Sequence, residues 1–557
     1  MKNFKFIIPL IALALFSCSD YLDVNNDPNR LLLTQIGPDK LLPTAMVSAY
    51  RNQAINENQL GTLYTNGWAS NVSSFTNGFT QEFQLVIDNA FYRQIFENCF
   101  LSVNNFQLII DTPNGDHKND NYIAASKICK AHYLQYMVDL YGDIPYTGAF
   151  KGLANASPKY NDDQFVYRQL LKELDDARAL IIAANPSATD ISSYDVMLNG
   201  DMAKWIDFAN TIELRMLLRM SNNTGAVAAY RDARLASLQK SFITTDVTIN
   251  PGYNKSTDAQ MNPFLNNFFV IAAGTAQQNY TAIAMSGHAF KCMRSSTFYN
   301  NTPVDAVVAP GVNYPGVTDI RSQLLFRGTM RAVTQGANFV GIPSATNVDI
   351  TGPGLGTPSR LGYGLANPYF FNPTPLAAVA DITDFYSNAP GFVMTASESD
   401  FLQAEAELRG YSGFTAAAAP GHFDAGIDAS YDRLGITAQN PALAGPYKAA
   451  INTKLNYGWV AAGTFNQKLH AIMYQKWVAL LGLHGIESFI EYNRTGFPVT
   501  PLAVNATQVR KPRRLIYPTS EYIANSSNVP NITSATVFAA TDPSHPFWQL
   551  GNPALGN

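Results

Sequence analysis

The chain has 557 residues, and its 38 Lys and Arg against 42 Asp and Glu leave a formal charge of −4. That balance supplies no field to attract nucleic acid or an anionic membrane surface, and it excludes both classes of partner. Only 14% of residues are charged, against roughly 25% in an average soluble protein, so amide, hydroxyl, glycine and aromatic groups must cover the surface, as suits a neutral polar ligand.

Residues 1–17 read as a leader. Lys2 and Lys5 precede an apolar run from Phe6 to Phe16, the cation-then-hydrocarbon layout of a secretory signal, and the run is too short to span a bilayer. Ser17 and Cys18 follow at the point of cleavage. A cysteine there is acylated in bacterial lipoproteins, and several acyl chains give the stable anchoring that one cannot. The other reading is an ordinary leader with an unrelated cysteine. With Cys18 lipidated, Cys99, Cys129 and Cys292 remain, an odd count that permits at most one bridge. No later apolar run reaches transmembrane length, so residues 18–557 form a single domain tethered through Asp20 and Asp23.

From 31 to 84 the chain mixes short apolar clusters with Asn and Gly. From Leu85 to Ile110, Phe91, Ile95, Phe96, Phe100, Val103, Phe106 and Ile110 recur at three and four residues, one face of a buried helix. A turn at Thr112–Gly115 leads to a second helix over about 121–140, stopped by Gly142 and Pro145, which makes a hairpin over 85–140. A second pair spans 160–221. Asn161 and Gln164 suggest its capping box, Tyr167, Leu170, Leu171, Leu174, Ala177 and Ile181 its first stripe, and Trp205, Phe208, Ile212, Met216 and Met220 its second. A third, over 395–435, opens on a Thr395–Glu398 capping box and reads as a tetratricopeptide-type pair with an insertion in its turn. The fourth, over 465–492, turns Leu469, Met473, Trp477 and Leu480 inward. The fold expected is all-α, with tetratricopeptide-like pairs in a right-handed stack and a long loop-rich portion over 244–389. Loops of that length are functional or disordered, and the aromatics here oppose disorder.

No catalytic constellation stands out. The seven histidines form no metal-ligating spacing and no HExxH occurs, so no metal or cofactor is expected. Gly352–Gly356 lacks the strand-to-helix context of a phosphate loop, and Ser237-Leu238-Gln239-Lys240 lacks the companion motifs of an S-x-x-K hydrolase. The pairs Asp162–Asp163 and Asp175–Asp176 read as exposed helix starts or faces, and nothing selects two carboxyls for glycoside hydrolysis. Helix-borne Phe96, Trp205 and Trp477 read as core. Rings in polar loops are different, because a flat apolar face beside amides matches a sugar, which offers C–H groups on its face and hydroxyls at its edge. The glycan-binding candidates are therefore Tyr64, Trp68, Phe75 and Phe79 in GTLYTNGWASNVSSFTNGFT, with Tyr299, Tyr363 and Tyr369. Trp68 leads.

Several segments carry a resemblance: CSDYLDVNNDPN after the leader, YGDIPYTGAF, SPKYNDDQFVYRQLLKELDDA, GDMAKWIDFANTIELRMLLRMSN, FLQAEAELRGY, QKWVALLGLHGIESFIEYNRTGFP and RRLIYPTSEY. In this order they resemble the SusD-like (SusD/RagB) outer-membrane lipoproteins of Bacteroidetes, particularly the second SusD-like subfamily. The resemblance implies an all-helical body, a variable ligand-binding half and no enzyme activity. It also implies a SusC-like TonB-dependent transporter as partner, over whose mouth the lipoprotein sits as a lid at the cell exterior. Ligands of such proteins are usually oligosaccharides and sometimes peptides. An oligopeptide-binding lid, or a surface glycosidase, is the alternative reading.

Overall fold

Among the described residues, twelve of the helices and eight short strands carry the architecture. The computed structural model describes residues 36–70, 79–293, 313–327, 360–366, 388–503 and 506–549. The leader, Cys18, Phe75, Tyr299, Tyr369 and the 352–356 turn lie outside them.

The chain opens with α1 (Pro38–Asn52), a π-turn at Gln53–Glu57 and α2 (Asn58–Tyr64). The stretch that reads as scattered apolar clusters is thus helical. Its inward face begins as an apolar stripe, Leu41, Leu42, Ala45, Met46 and Ala49, and turns polar beyond it: Gln53 donates to the Val393 carbonyl at 2.9 Å and Asn58 to the Gly482 carbonyl at 2.9 Å. Around the π-turn, buried amides satisfied by distant carbonyls interrupt the hydrophobic periodicity.

α3 runs Arg93–Ile110 and α4 Asp120–Tyr141. The first begins at Arg93 and not at Leu85, because Leu85 and Tyr92 take left-handed φ of 57° and 48° and Asp88 accepts from the N–H groups of Ala90 and Phe91. α5 (Asp163–Ala183) is capped by Asp162, which accepts from Phe165 N at 2.9 Å. The expected cap, Asn161, instead accepts from Tyr146 N and Thr147 N. α6 (Met202–Arg219) and α7 (Gly225–Ser237) follow. α8 (Ala396–Leu408) starts where Thr395 accepts from Glu398 N, as expected; α9 is Ala419–Arg433 and α10 Ala444–Ile451. α11 (Phe465–Leu480) has a full Thr464–Gln467 capping box, and α12 is Gly485–Thr495. α3, α4 and α5 pack as consecutive antiparallel neighbours, α8 packs on α9 and α11, and α1 lies on α3. α2 meets α12 so closely that a Cβ on Gly61 would fall on the Gly485–Ile486 backbone. The result is an all-α, tetratricopeptide-like body.

The strands form four antiparallel pairs: β1 (Trp68–Ser70) with β5 (Ile283–Met285), β2 (Ile144–Pro145) with β3 (Tyr160–Asn161), β4 (Val247–Ile249) with β8 (Gly391–Met394), and β6 (Phe326–Arg327) with β7 (Arg360–Leu361). Three of these pairs stitch the loop-rich stretch to itself or to the helices.

Where α4, α6, α8, α11 and α12 converge, the core is ionic. Arg219 pairs with Asp139, Glu487 and Glu491, and Lys476 lies 2.7 Å from Glu487. Arg494 lies 2.5 Å from both Glu405 and Glu491, and Arg215 lies 3.2 Å from Glu398. Burial alone would raise the carboxyls of Glu487 and Glu491, yet Arg219 and Lys476, with Arg215 for the first and Arg494 for the second, hold both down at about 2. Removing one partner of such a set strands a buried charge, whereas the intact set fixes how the helices register.

Candidate functional site

The two rings nearest the start of the aromatic loop are core. Trp68 is 0% exposed, sits in β1 opposite Met285 and meets Phe268 edge-on at 5.2 Å. Tyr64 is buried with centroids 5.1 Å from Phe489 and 6.2 Å from Phe91. Both were expected to offer a face to ligand. Neither does, because the polar neighbours in sequence are outweighed by pairing with β5 and packing on α12. Phe79 is half-buried against the core in a left-handed conformation with φ of 56°. Tyr363 opens the short helix Tyr363–Ala366. Phe75, Tyr299 and Tyr369 fall outside the described residues.

Beside the loop-rich stretch, the segment 316–320 and helices α9 and α10 enclose a groove of about 460 Å³, within the range of small-molecule sites of roughly 300–1,000 Å³. Tyr431 of α9 and Tyr447 of α10 form one wall, and Val317, Ile320 and Leu443 line the rest with Thr318. Behind the two tyrosines lies a buried clamp. Arg321 holds Asp319 at 2.7 Å, donates to Gln475 Oε1 at 2.8 Å and to Ser430 Oγ at 3.1 Å, and its guanidinium sits 5.2 and 5.3 Å from the rings of Tyr431 and Tyr447. Asp319 N in turn donates to the Met293 carbonyl at 2.8 Å. A loop fixed by a charged pair, two stacked rings and a backbone bond is pre-organised, which lowers the ordering cost of binding. Sequence reasoning passed over this pair; the only signal was an Asp-x-Arg within a charge-poor stretch. The lining is tyrosine, aliphatic and hydroxyl, and contains no carboxylate, histidine or cysteine.

Other sequence candidates resolve into structural roles. Asp163 is buried, not exposed; it accepts from Phe547 N at 2.6 Å, and burial pushes its carboxyl up to about 7. It comes within 4.8 Å of Asp143 and Asp162, but Asp143 accepts from Asp163 N and Asp162 caps α5, so these oxygens serve the backbone. Asp175 pairs with Arg178 and Arg234 at 2.6 and 2.5 Å. Lys240 of the S-x-x-K match donates to the Leu235 and Leu238 carbonyls and so caps α7. Cys99, Cys129 and Cys292 are buried free thiols, so the one bridge that their number allowed is not formed among them.

Residues 28–292 match the family described as starch-binding and associating with the outer membrane, and residues 372–549 match the SusD and RagB outer-membrane lipoproteins. The chain belongs to the SusD-like family. Solved SusD-like structures share its fold. A chitin-binding SusD homologue from Flavobacterium johnsoniae is 21% identical, with 92% of this chain and 99% of that one covered at a TM-score of 0.65. A SusD homologue from Parabacteroides distasonis is 18% identical, covering 92% and 98% at a TM-score of 0.66. A SusD-like protein from Bacteroides thetaiotaomicron is 20% identical, covering 88% and 94% at 0.60. No curated protein matches the chain. Membership in the SusD-like family makes this a nutrient-binding protein of the outer membrane. Among the described residues, no helix is long and apolar enough to cross a membrane. Neither SusD-like match covers 293–371, which holds the 316–320 rim of the groove.

Proposed function

We propose that the protein captures oligosaccharide at the cell surface and delivers it, without cleaving it, to a SusC-like TonB-dependent transporter on which it sits as a lid. Residues 1–17 are the leader, Cys18 carries the lipid, and 18–557 act as one domain. The observation that carries this reading is the way the two family matches, 28–292 and 372–549, bracket an unmatched stretch that supplies one rim of a tyrosine-walled groove. A family-wide body would serve the shared partner, and the unmatched stretch would set the ligand.

The apolar and tyrosine lining suits the C–H face of a sugar ring. Chitin binding by the Flavobacterium johnsoniae homologue supports a glycan over a peptide. Phe79, Tyr363, Phe75, Tyr299 and Tyr369 are the rings proposed to stack on it. Trp68 and Tyr64 take a supporting role, because they hold the end of α2 and the strand Trp68–Ser70 in the core. A few stacked rings give micromolar to millimolar affinity, weak enough for release into a barrel.

Affinity purification of the tagged protein from detergent-solubilised outer membranes tests the partnership. A stoichiometric TonB-dependent barrel is expected in the eluate, and Cys18→Ala should move the protein out of the membrane fraction. Repeated recovery without any barrel would overturn the lid reading.

A further inference from the structure

A second concavity, of about 330 Å³, lies on the helical body between α1 and α3. None of its lining residues comes from the loop-rich stretch, so it is a different place from the tyrosine-walled groove.

Its floor is built and locked. Asn52 is buried, donating to Glu57 Oε1 at 3.0 Å and to the Ile95 carbonyl at 3.0 Å, while its own oxygen accepts from Asn56 Nδ2 at 2.9 Å. Those bonds consume Asn52 and aim Asn56, whose carbonyl oxygen is left without a partner among the described residues. The π-turn at Gln53–Glu57 puts one extra residue into the helix and so brings Ile55 and Asn56 to the same wall. Such turns recur at functional sites.

The walls hold open polar groups. Arg51, Asn98 and Ser102 make no side-chain hydrogen bond or ion pair among the described residues, although Ser102 is only 3% exposed. Leu101, by contrast, lines the groove 69% exposed. Arg51 is the single charge in the lining, and no acidic side chain lines the groove. The Glu57 carboxyl bonded to Asn52 is pushed up to about 8 by burial and so contributes little negative charge near neutral pH.

We infer that this groove is a second carbohydrate site, selective for an acidic sugar: a pyranose whose carboxylate pairs with Arg51, whose hydroxyls bond Asn56, Asn98 and Ser102, and whose C–H edge lies on Ile55 and Leu101. A guanidinium binds a carboxylate through two parallel N–H bonds, and amides and a hydroxyl at fixed positions supply the ring hydroxyls with partners. A neutral sugar would fill the same space and leave the guanidinium unused. The site does not depend on the lid reading.

Ligand-observed saturation-transfer NMR on the 19–557 protein tests it, with methyl β-D-glucuronide against methyl β-D-glucoside as probes. The expected result is saturable glucuronide binding in the millimolar range, about tenfold weaker glucoside binding, and loss of the glucuronide preference in Arg51→Gln. Ser102→Phe, which fills the groove, should abolish both signals, with circular dichroism confirming the fold. Neutral oligosaccharide bound through the loop-rich half should be unaffected by Arg51→Gln, so failure here is distinct from failure of the lid reading. Absence of saturable glucuronide binding at tens of millimolar, equal binding of the two probes, or insensitivity to both substitutions would overturn the proposal.

Discussion

Trp68→Ala separates a core role from a ligand role most sharply. The indole is fully buried, lies edge-on to Phe268 at 5.2 Å, and Gly482 passes so close that a Cβ there would sit 3.3 Å from its ring. Truncation leaves a cavity walled by β1, β5 and the turn before α12, and the cost for a large aromatic is about 3–5 kcal/mol. The indole N–H is buried without a partner among the described residues, which itself costs about 1–3 kcal/mol. Trp68→Phe removes that orphan donor together with part of the packing, so its net cost should stay under about 1.5 kcal/mol. Urea unfolding followed by far-UV circular dichroism measures both. The expected order is wild type, then Trp68→Phe close behind, then Trp68→Ala far below, with glycan affinity retained by whatever fraction stays folded. An exposed ring would shift stability by no more than about 0.5 kcal/mol. An unchanged midpoint for Trp68→Ala, with binding lost, would refute the burial argument.

Three further expectations follow from the packing. Gly61→Ala places a methyl on the Gly485–Ile486 backbone and should lower the urea midpoint by an amount typical of overpacking, about 1–3 kcal/mol; a neutral result would mean that α2 and α12 separate freely. Arg494→Met takes a buried cation from both Glu405 and Glu491, leaving the first with Arg409 and the second with Arg219 and Lys476, and should cost about 3–5 kcal/mol, whereas Glu405→Gln should cost less because Arg494 keeps Glu491. Glu57 has its carboxyl raised by burial from an ordinary 4.5 to about 8. The folded state therefore holds its proton over that window when the unfolded chain does not, and stability is lost as pH rises from 4.5 through 8. Relative to Glu57→Gln, the wild type should weaken by up to about 1.4 kcal/mol per pH unit across the window, and parallel stability curves for the two proteins at pH 5, 6.5 and 8 would contradict the assignment.

Helices with an apolar stripe were legible before any coordinates: Leu170, Leu174 and Ile181 of α5 and Leu469, Met473 and Trp477 of α11 are buried as their spacing implied. Thr395 also caps α8 as the Thr–Glu spacing suggested. α1 carries an apolar stripe, Leu41, Leu42, Ala45, Met46 and Ala49, that was passed over, while the turn into α2 was not legible, since Asn52, Gln53, Glu57 and Asn58 face inward and the amides find partners on distant segments. Leu85 and Tyr92 look like the start of an apolar stripe, and only their left-handed backbone ends it. Trp68 shows the same limit from the other side. Its neighbours in sequence are polar, and the strand that buries it is at 283–285, far outside any local window. The Asp319–Arg321 clamp is intelligible only once Tyr431, Tyr447 and Gln475 are brought around it. The family segments from YGDIPYTGAF onward were readable because they lie within the two family matches; the loop-rich half has no such motif, and its ring candidates rest on chemistry alone.

Titration calorimetry of the 19–557 protein against chitin-, starch- and other plant- or microbe-derived oligosaccharides, with the same samples checked afterwards for shortened products, tests glycan capture without cleavage most directly. The account predicts saturable binding of at least one oligosaccharide class at micromolar to millimolar affinity and unaltered glycan at the end. Binding confined to oligopeptides, or release of reducing ends from the bound glycan, would contradict it.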